Sequence, residues 1–195
     1  MDEGALARAA RAIRDGDLVV YPTETVYGLG ADALDAAAVE RVFDAKHRDR
    51  DRPISMAVPD VDVIPEYARA SELELAFCRA FLPGPVTVVI AARDVVPETL
   101  TAGRARVGVR VPAHEAALAL LGRVAPITAT SANVSGRGSA RRVADLDPAI
   151  RAAASVIVDG GETPGGGSTV VDVERGEVIR RGANADAVEA WLADS

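Results

Sequence analysis

Three stretches of this chain carry residues that could do chemistry. The first is YPTETVYGLG, Tyr21 to Gly30. An apolar run, Leu18-Val19-Val20-Tyr21, reads as a short strand, and Pro22 ends it, because proline has no N–H to give to a sheet ladder. Two threonines and a glutamate follow, then Gly28 and Gly30, which let backbone approach a ligand closely. Hydroxyls and a carboxylate therefore stand at a strand end, where open α/β sheets commonly bind ligands; the plain alternative is a polar turn. The second stretch is Lys46-His47-Arg48-Asp49-Arg50-Asp51-Arg52. If it is extended, Lys46, Arg48, Arg50 and Arg52 share one face, and guanidinium groups beside an ammonium suit phosphate oxygens. The alternative is a solvated loop whose charges neutralise one another at little energetic effect. The third is Thr130-Ser131-Ala132-Asn133-Val134-Ser135-Gly136, whose hydroxyls and amide could grip a ribose, a base edge or a phosphate, or make local turns.

Two arginines stand apart from these stretches. Arg110, in Gly108-Val109-Arg110, lies on a strand; an unpaired charge is costly in a core, so it must meet an anion or reach solvent. Arg180 ends the last strand of the chain. A glycine-rich loop, Asp159 to Gly167, precedes Ser168-Thr169-Val170-Val171-Asp172. It lacks the G-x-G-x-x-G pattern and leads into a strand, which excludes a dinucleotide-binding fingerprint.

Bulk properties narrow the classes. The chain has 195 residues, 49% hydrophobic and 26% charged, which suits one globular domain over 1–195. No apolar run is long enough to span a bilayer and the start carries no secretory pattern, pointing to a cytoplasmic protein. Cys78 is the only cysteine, so neither an internal disulfide nor a cysteine-based zinc site can form, and with two histidines, His47 and His114, most histidine metal sites are excluded. Net charge is -7, which opposes broad nucleic-acid affinity unless a local basic patch overrides it. Lys46 is the only lysine, so 21 of the 22 basic residues are arginine. It follows Ala45 and not glycine, which excludes a P-loop.

The elements that must position these residues alternate. Apolar spacing predicts helices at Asp2 to Asp15, Asp35 to Ala45, Ser71 to Leu82, His114 to Val124, Asp145 to Ala154 and Asp186 to Ala193. Strands are expected at 17–21, Ile54 to Val58, Val86 to Ala92, Val107 to Val111, Ile127 to Thr130, Ser155 to Val158, 168–173 and 177–181. Ser71 and Glu74 have capping-box spacing. The Val86 to Ala92 run reads as buried on both faces.

Taken together, the motifs resemble those of the YrdC-like family, the threonylcarbamoyl-AMP synthases. YPTETVYGLG is similar to its signature. Lys46 and Arg48, ahead of Pro53-Ile54, resemble its Lys-x-Arg motif, and Ser131-Ala132-Asn133-Val134-Ser135-Gly136 its Ser-Ala-Asn-x-Ser-Gly motif. Asp159-Gly160-Gly161 with Ser168 to Asp172, and Arg180-Arg181-Gly182, complete five stretches in family order. The departures are Arg181, where the family has proline, and Ala57, where some relatives have histidine. The resemblance implies a three-layer α/β fold with a twisted mixed parallel and antiparallel sheet and a concave basic cleft, in the short form without an extra C-terminal domain. It implies condensation of L-threonine, bicarbonate and ATP to threonylcarbamoyl-AMP and pyrophosphate, the intermediate of a tRNA adenosine modification. Lys46 and Arg48 would be catalytic. Lys46, Arg48, Arg50, Ser131, Asn133 and Arg180 would hold ATP, and Thr23, Arg110 and Ser168 the threonine. Mg²⁺ is expected on the triphosphate; tRNA and a downstream threonylcarbamoyl transferase are expected partners. An RNA-binding module, weakened by only 4% aromatics, and a related carbamoyl-adenylate former are the alternatives.

Overall fold

The computed structural model describes residues 2–194; Met1 and Ser195, the ends of the expected unit, lie outside it. The helices are α1 (Glu3–Arg14), α2 (Ala36–Lys46), α3 (Ile64–Tyr67), α4 (Glu72–Phe81), α5 (Glu98–Thr101), α6 (Glu115–Leu121), α7 (Pro148–Ala153) and α8 (Ala185–Ala193). The strands are β1 (Leu18–Tyr21), β2 (Gly28–Gly30), β3 (Ser55–Ala57), β4 (Val86–Ala91), β5 (Arg106–Arg110), β6 (Ile127–Ser131), β7 (Ala154–Ile157), β8 (Thr169–Asp172) and β9 (Glu177–Arg180). They form one sheet in the order β7-β1-β2-β6-β3-β5-β4-β8-β9. The pairs β1–β7, β3–β5 and β4–β8 are parallel and the others antiparallel, the mixed sheet that the resemblance implied.

Helix ends follow local chemistry. Asp2 and Asp35 accept from Ala5 N (2.9 Å) and Ala37 N (2.8 Å) at the starts of α1 and α2. Ser71 and Glu74 close the expected capping box on α4, with bonds of 3.2 and 2.8 Å. Each satisfies N–H groups that a helix start leaves without intrahelical partners. The predicted helix at 145–154 is shorter: Asp147 caps α7, Pro148 opens it, and the preceding residues form a 3₁₀ turn at Val143–Asp145.

Strand alternation divides the sheet into two unlike faces. Leu18, Val20, Leu29, Met56, Val88, Val109 and Val171 join one buried cluster with Val39, Val42 and Phe43 of α2, Phe77 of α4 and Val188 of α8. On the opposite face, Val19, Tyr21, Ala57 and Ile127 pack under Leu6 and Ile13 of α1 and Leu120 of α6. Helices on both faces of the sheet give the three layers. The second face is the one that thins out: Gly28, Ser55, Thr87, Ala129 and Ser131 of β2, β3, β4 and β6 line a hollow there, with Gly108 of β5 against Ser55 and Thr87. β4 is buried on both sides at its start, as expected, with Val86 and Val88 in the core and Thr87, also buried, at the floor of this hollow.

β2 was not expected, since Gly28 and Gly30 read as a close approach of backbone to a ligand or, in the plain alternative, as a turn. The glycines are required by packing. A Cβ on Gly28 would lie 2.8 Å from the Tyr21 ring, and Tyr21 is buried with its hydroxyl donating to Thr128 O at 3.2 Å. Gly28→Ala is expected to destabilise the protein by about 1–3 kcal/mol, the usual cost of forcing an extra carbon into a packed core. A fall in the urea midpoint at unchanged slope is the readout, and an unchanged midpoint would refute the packing account.

Candidate active site

The hollow is a cleft of about 220 Å³. Thr23, Thr25 and Gly28 line it from the segment after β1, Arg48, Pro53 and Ser55 from the approach to β3, and Thr87 and Arg110 from β4 and β5. Ser131 closes it from β6, and Gly166, Gly167, Ser168 and Arg180 from the far end. Of the nine residues expected at a site, Thr23, Arg48, Arg110, Ser131, Ser168 and Arg180 converge here. Lys46 and Asn133 stand behind the wall, and Arg50 is elsewhere.

The extended strip at 46–52 is overturned. α2 runs on to Lys46, and His47 turns the chain at a φ of 48°. Lys46, Arg48, Arg50 and Arg52 therefore share no face. Arg50 is exposed, and its guanidinium pairs with Glu40 (2.8 Å) and Asp44 (2.6 Å) on the outside of α2. Two acidic residues one turn apart on the helix, both in reach of the loop, were the overlooked signal. Arg48 turns inward, donating to the carbonyls of Arg52 (3.0 Å) and Pro53 (2.9 Å).

Lys46 is buried, and its Nζ donates to the carbonyls of Ser131 and, at 2.8 Å, Asn133. Ser135 N returns a bond to Lys46 O at 2.8 Å. Asn133 spends its amide on the same loop, donating to the carbonyls of Val134 and Arg137, both at 2.8 Å, and accepting from Ser131 Oγ. Lys46 and Asn133 thus fix the loop that carries Ser131. Burial, aided by the nearby Arg48 charge, lowers the Lys46 pKa to about 7, since low dielectric disfavours the charged form.

At the far end, Arg180 donates to Ser168 O (2.9 Å) and Ser168 Oγ (3.0 Å), and the hydroxyl of Ser168 meets that of Thr87 at 3.2 Å. Thr87 was missed; a lone hydroxyl in an apolar strand was its sequence signal. The departure at Arg181 leaves this turn intact. Thr169 Oγ1 donates to Ala183 O (2.6 Å) and accepts from Gly182 N (3.0 Å), while Arg181 pairs outward with Asp186 and Glu189. The glycine-rich loop is tied down by Tyr27, whose hydroxyl donates to Gly161 O (2.7 Å) and accepts from Gly160 N (3.0 Å), and by Gly165 N donating to Thr25 O at 2.7 Å.

Arg110 reaches the cleft from the end of β5 and donates to Glu24 Oε1 at 2.5 Å. Its strand position left an anion partner or solvent open; it meets an anion, the glutamate of the signature stretch. Lining of this kind, cations at hydroxyl-rich walls, can hold anions and align two of them.

Known proteins share this sequence pattern and fold. A family model, Sua5_yciO_yrdC, described as "Telomere recombination", matches residues 11–182. A threonylcarbamoyl-AMP synthase from Pyrococcus abyssi is 42% identical over 177 residues, covering 89% of this chain and 52% of that protein. The chain thus spans about half the length of that relative. One from Xanthomonas axonopodis is 38% identical over 159 residues, covering 80% of this chain and 85% of that protein. The crystal structure of P. abyssi Sua5 complexed with L-threonine superposes with a TM-score of 0.88 at 40% identity, covering 93% of this chain and 55% of that one.

The Lys46 environment gives a pH signature. Above about 7 the folded protein sheds this proton, while the unfolded chain holds it up to the ordinary lysine value of 10.5. Between those limits the unfolded state binds more protons, so the Lys46 contribution to stability rises with pH and is lost as pH falls through 7. Denaturation of wild type and Lys46→Met at pH 6.5 and pH 9 is expected to show a more positive slope in wild type; parallel slopes would contradict the assignment.

Proposed function

From the premise that the chain belongs to the Sua5/YciO/YrdC family, we propose that it is an L-threonylcarbamoyl-adenylate synthase, condensing L-threonine, bicarbonate and ATP to threonylcarbamoyl-AMP and pyrophosphate. The observation that carries this reading is the convergence of Arg48, Arg110 and Arg180 on one hydroxyl-lined cleft. It is supported by the match to a relative solved with L-threonine.

The reaction brings two anions together. The threonine amine and bicarbonate first give a carbamate with loss of one water; a carbamate oxygen then forms a bond to the α-phosphorus of ATP, and the bond to the bridging oxygen breaks to release pyrophosphate. Repulsion between carbamate and triphosphate is the barrier that a cationic hollow lowers, and leaving-group charge is what guanidinium groups stabilise. Transfers of this kind need alignment and charge stabilisation and no covalent nucleophile. In this reading Arg48 and Arg180 face the phosphates and Ser131 the nucleotide, while Thr23, Arg110 and Ser168 hold threonine; the bond from Arg180 to Ser168 is where the two substrate sites adjoin. Lys46 and Asn133 shape the Ser131 loop. Arg50 has no part. Mg²⁺ would enter with the triphosphate and offset its charge, a role that asks for few protein ligands. The product would pass to a downstream transferase acting on tRNA. No helix among the described residues is long and apolar enough to cross a membrane, and the proposed place of action is the cytoplasm.

Pyrophosphate release is expected only when ATP, L-threonine and bicarbonate are all present; release that persists without threonine would rule the reaction out. Arg110→Ala removes a charge-assisted hydrogen bond of about 1.5–3 kcal/mol and is expected to raise the threonine KM roughly ten- to hundredfold. The ATP KM should stay within about threefold, because that substrate meets Arg48 and Arg180 instead. An equal rise in both would refute the division of roles.

A further inference from the structure

The three guanidinium groups of the cleft are not equivalent. Arg48 and Arg180 bond to carbonyls and a hydroxyl, and among the described residues neither forms an ion pair with a carboxylate. Burial holds both below the ordinary arginine range. Neighbouring cations add to this, Arg52 and Arg180 acting on Arg48 and Arg110 on Arg180, while Asp49 and Asp51 oppose it more weakly on Arg48. These are uncompensated positive charges. Arg110 alone carries a carboxylate, and both members of its pair are largely buried, at 11% and 14% side-chain exposure. The pairing is single: Glu24 Oε2 and Arg110 Nε are buried and find no hydrogen-bond partner among the described residues. The pair is thus not a closed two-bond fork.

One cleft must sort two ligands by charge. A triphosphate is a polyanion with no positive group, whereas an amino acid brings an ammonium with its carboxylate. A fixed carboxylate beside a guanidinium repels the first and tolerates the second, and a repulsive element is an effective way to reject the wrong ligand. We infer that Glu24 is a specificity-determining residue: by neutralising Arg110 it reserves that guanidinium for a zwitterionic amino acid and leaves Arg48 and Arg180 to the polyphosphate. This rests on the synthase reading. Glu24 acts through the charge of Arg110 and not on the reacting atoms.

Glu24→Gln keeps an oxygen acceptor for Arg110 and removes only the charge. Threonine binding to the full chain is measured by calorimetry with and without inorganic pyrophosphate. In wild type, pyrophosphate should change the threonine Kd by less than about threefold; in Glu24→Gln the same concentration should raise it at least about tenfold. Glu24→Asp, which restores the charge, should return the wild-type pattern. A purely structural role would weaken threonine binding without making it sensitive to pyrophosphate, and that result overturns the inference, as does equal sensitivity in wild type. Should Glu24→Gln be unfolded alone, Glu24→Ser is measured in the same way: at least about tenfold weaker threonine binding in pyrophosphate supports the inference, and insensitivity to it overturns it. Wild type that binds no threonine would remove the synthase reading and the inference with it, a result distinct from wild type that binds threonine while Glu24→Gln stays insensitive.

Discussion

Like charges must be held together in this molecule. A chain with net charge -7 turns three of its arginines into one small hollow, where Arg180 disfavours the charge of Arg48 and Arg110 that of Arg180. Repulsion in a partly dry site is stronger than in water, so the arrangement persists only because each guanidinium is anchored to the fold by its own hydrogen bonds. The anchors come from different parts of the fold: loop carbonyls after α2 for Arg48, the start of β8 for Arg180, and the segment after β1 for Arg110. No local stretch could do this. The nine-stranded sheet is what brings the three anchors within reach of one another.

The sheet also shapes the space between them. Large apolar residues of the central strands point to the α2, α4 and α8 side, and small ones point to the cleft. A Cβ on Gly108 would lie 2.4 Å from Ser55 Oγ, so even one added carbon on that floor must displace a neighbour. Concavity here is a consequence of side-chain size on alternate positions, not of a missing element.

Much of this was legible in the sequence. Strand–helix alternation, the capping box at Ser71 and the buried strands follow from spacing that local chemistry enforces, and they appear where expected. The resemblance drew together six residues that do line the cleft. What was not legible depended on partners far away in the chain. Gly28 and Gly30 look like a ligand approach or a turn until Tyr21 is seen packed across them. Arg50 looks like a phosphate ligand until Glu40 and Asp44 are placed one helical turn apart beside it. The strip read as extended because alternating charges mimic strand periodicity, but α2 carried its hydrogen bonding on to Lys46 and His47 took the left-handed turn. Thr87 was hidden by its apolar neighbours, which face the other way.

The sole lysine illustrates how charge load and structure are joined. Its amine sits behind the cleft wall between two carbonyls of the Ser131 loop. A neutral amine still has two N–H groups, enough for both bonds, so the loop stays tethered whether or not the third proton is present. Burial and Arg48 bring that third proton off near pH 7. Arginine could make similar bonds but could not shed its charge, because its guanidinium stays protonated in proteins. A fourth permanent cation beside Arg48 would add to the repulsion already present. Lysine at this position therefore meets two demands together: it braces the loop, and it can discharge when no anion is there to offset it.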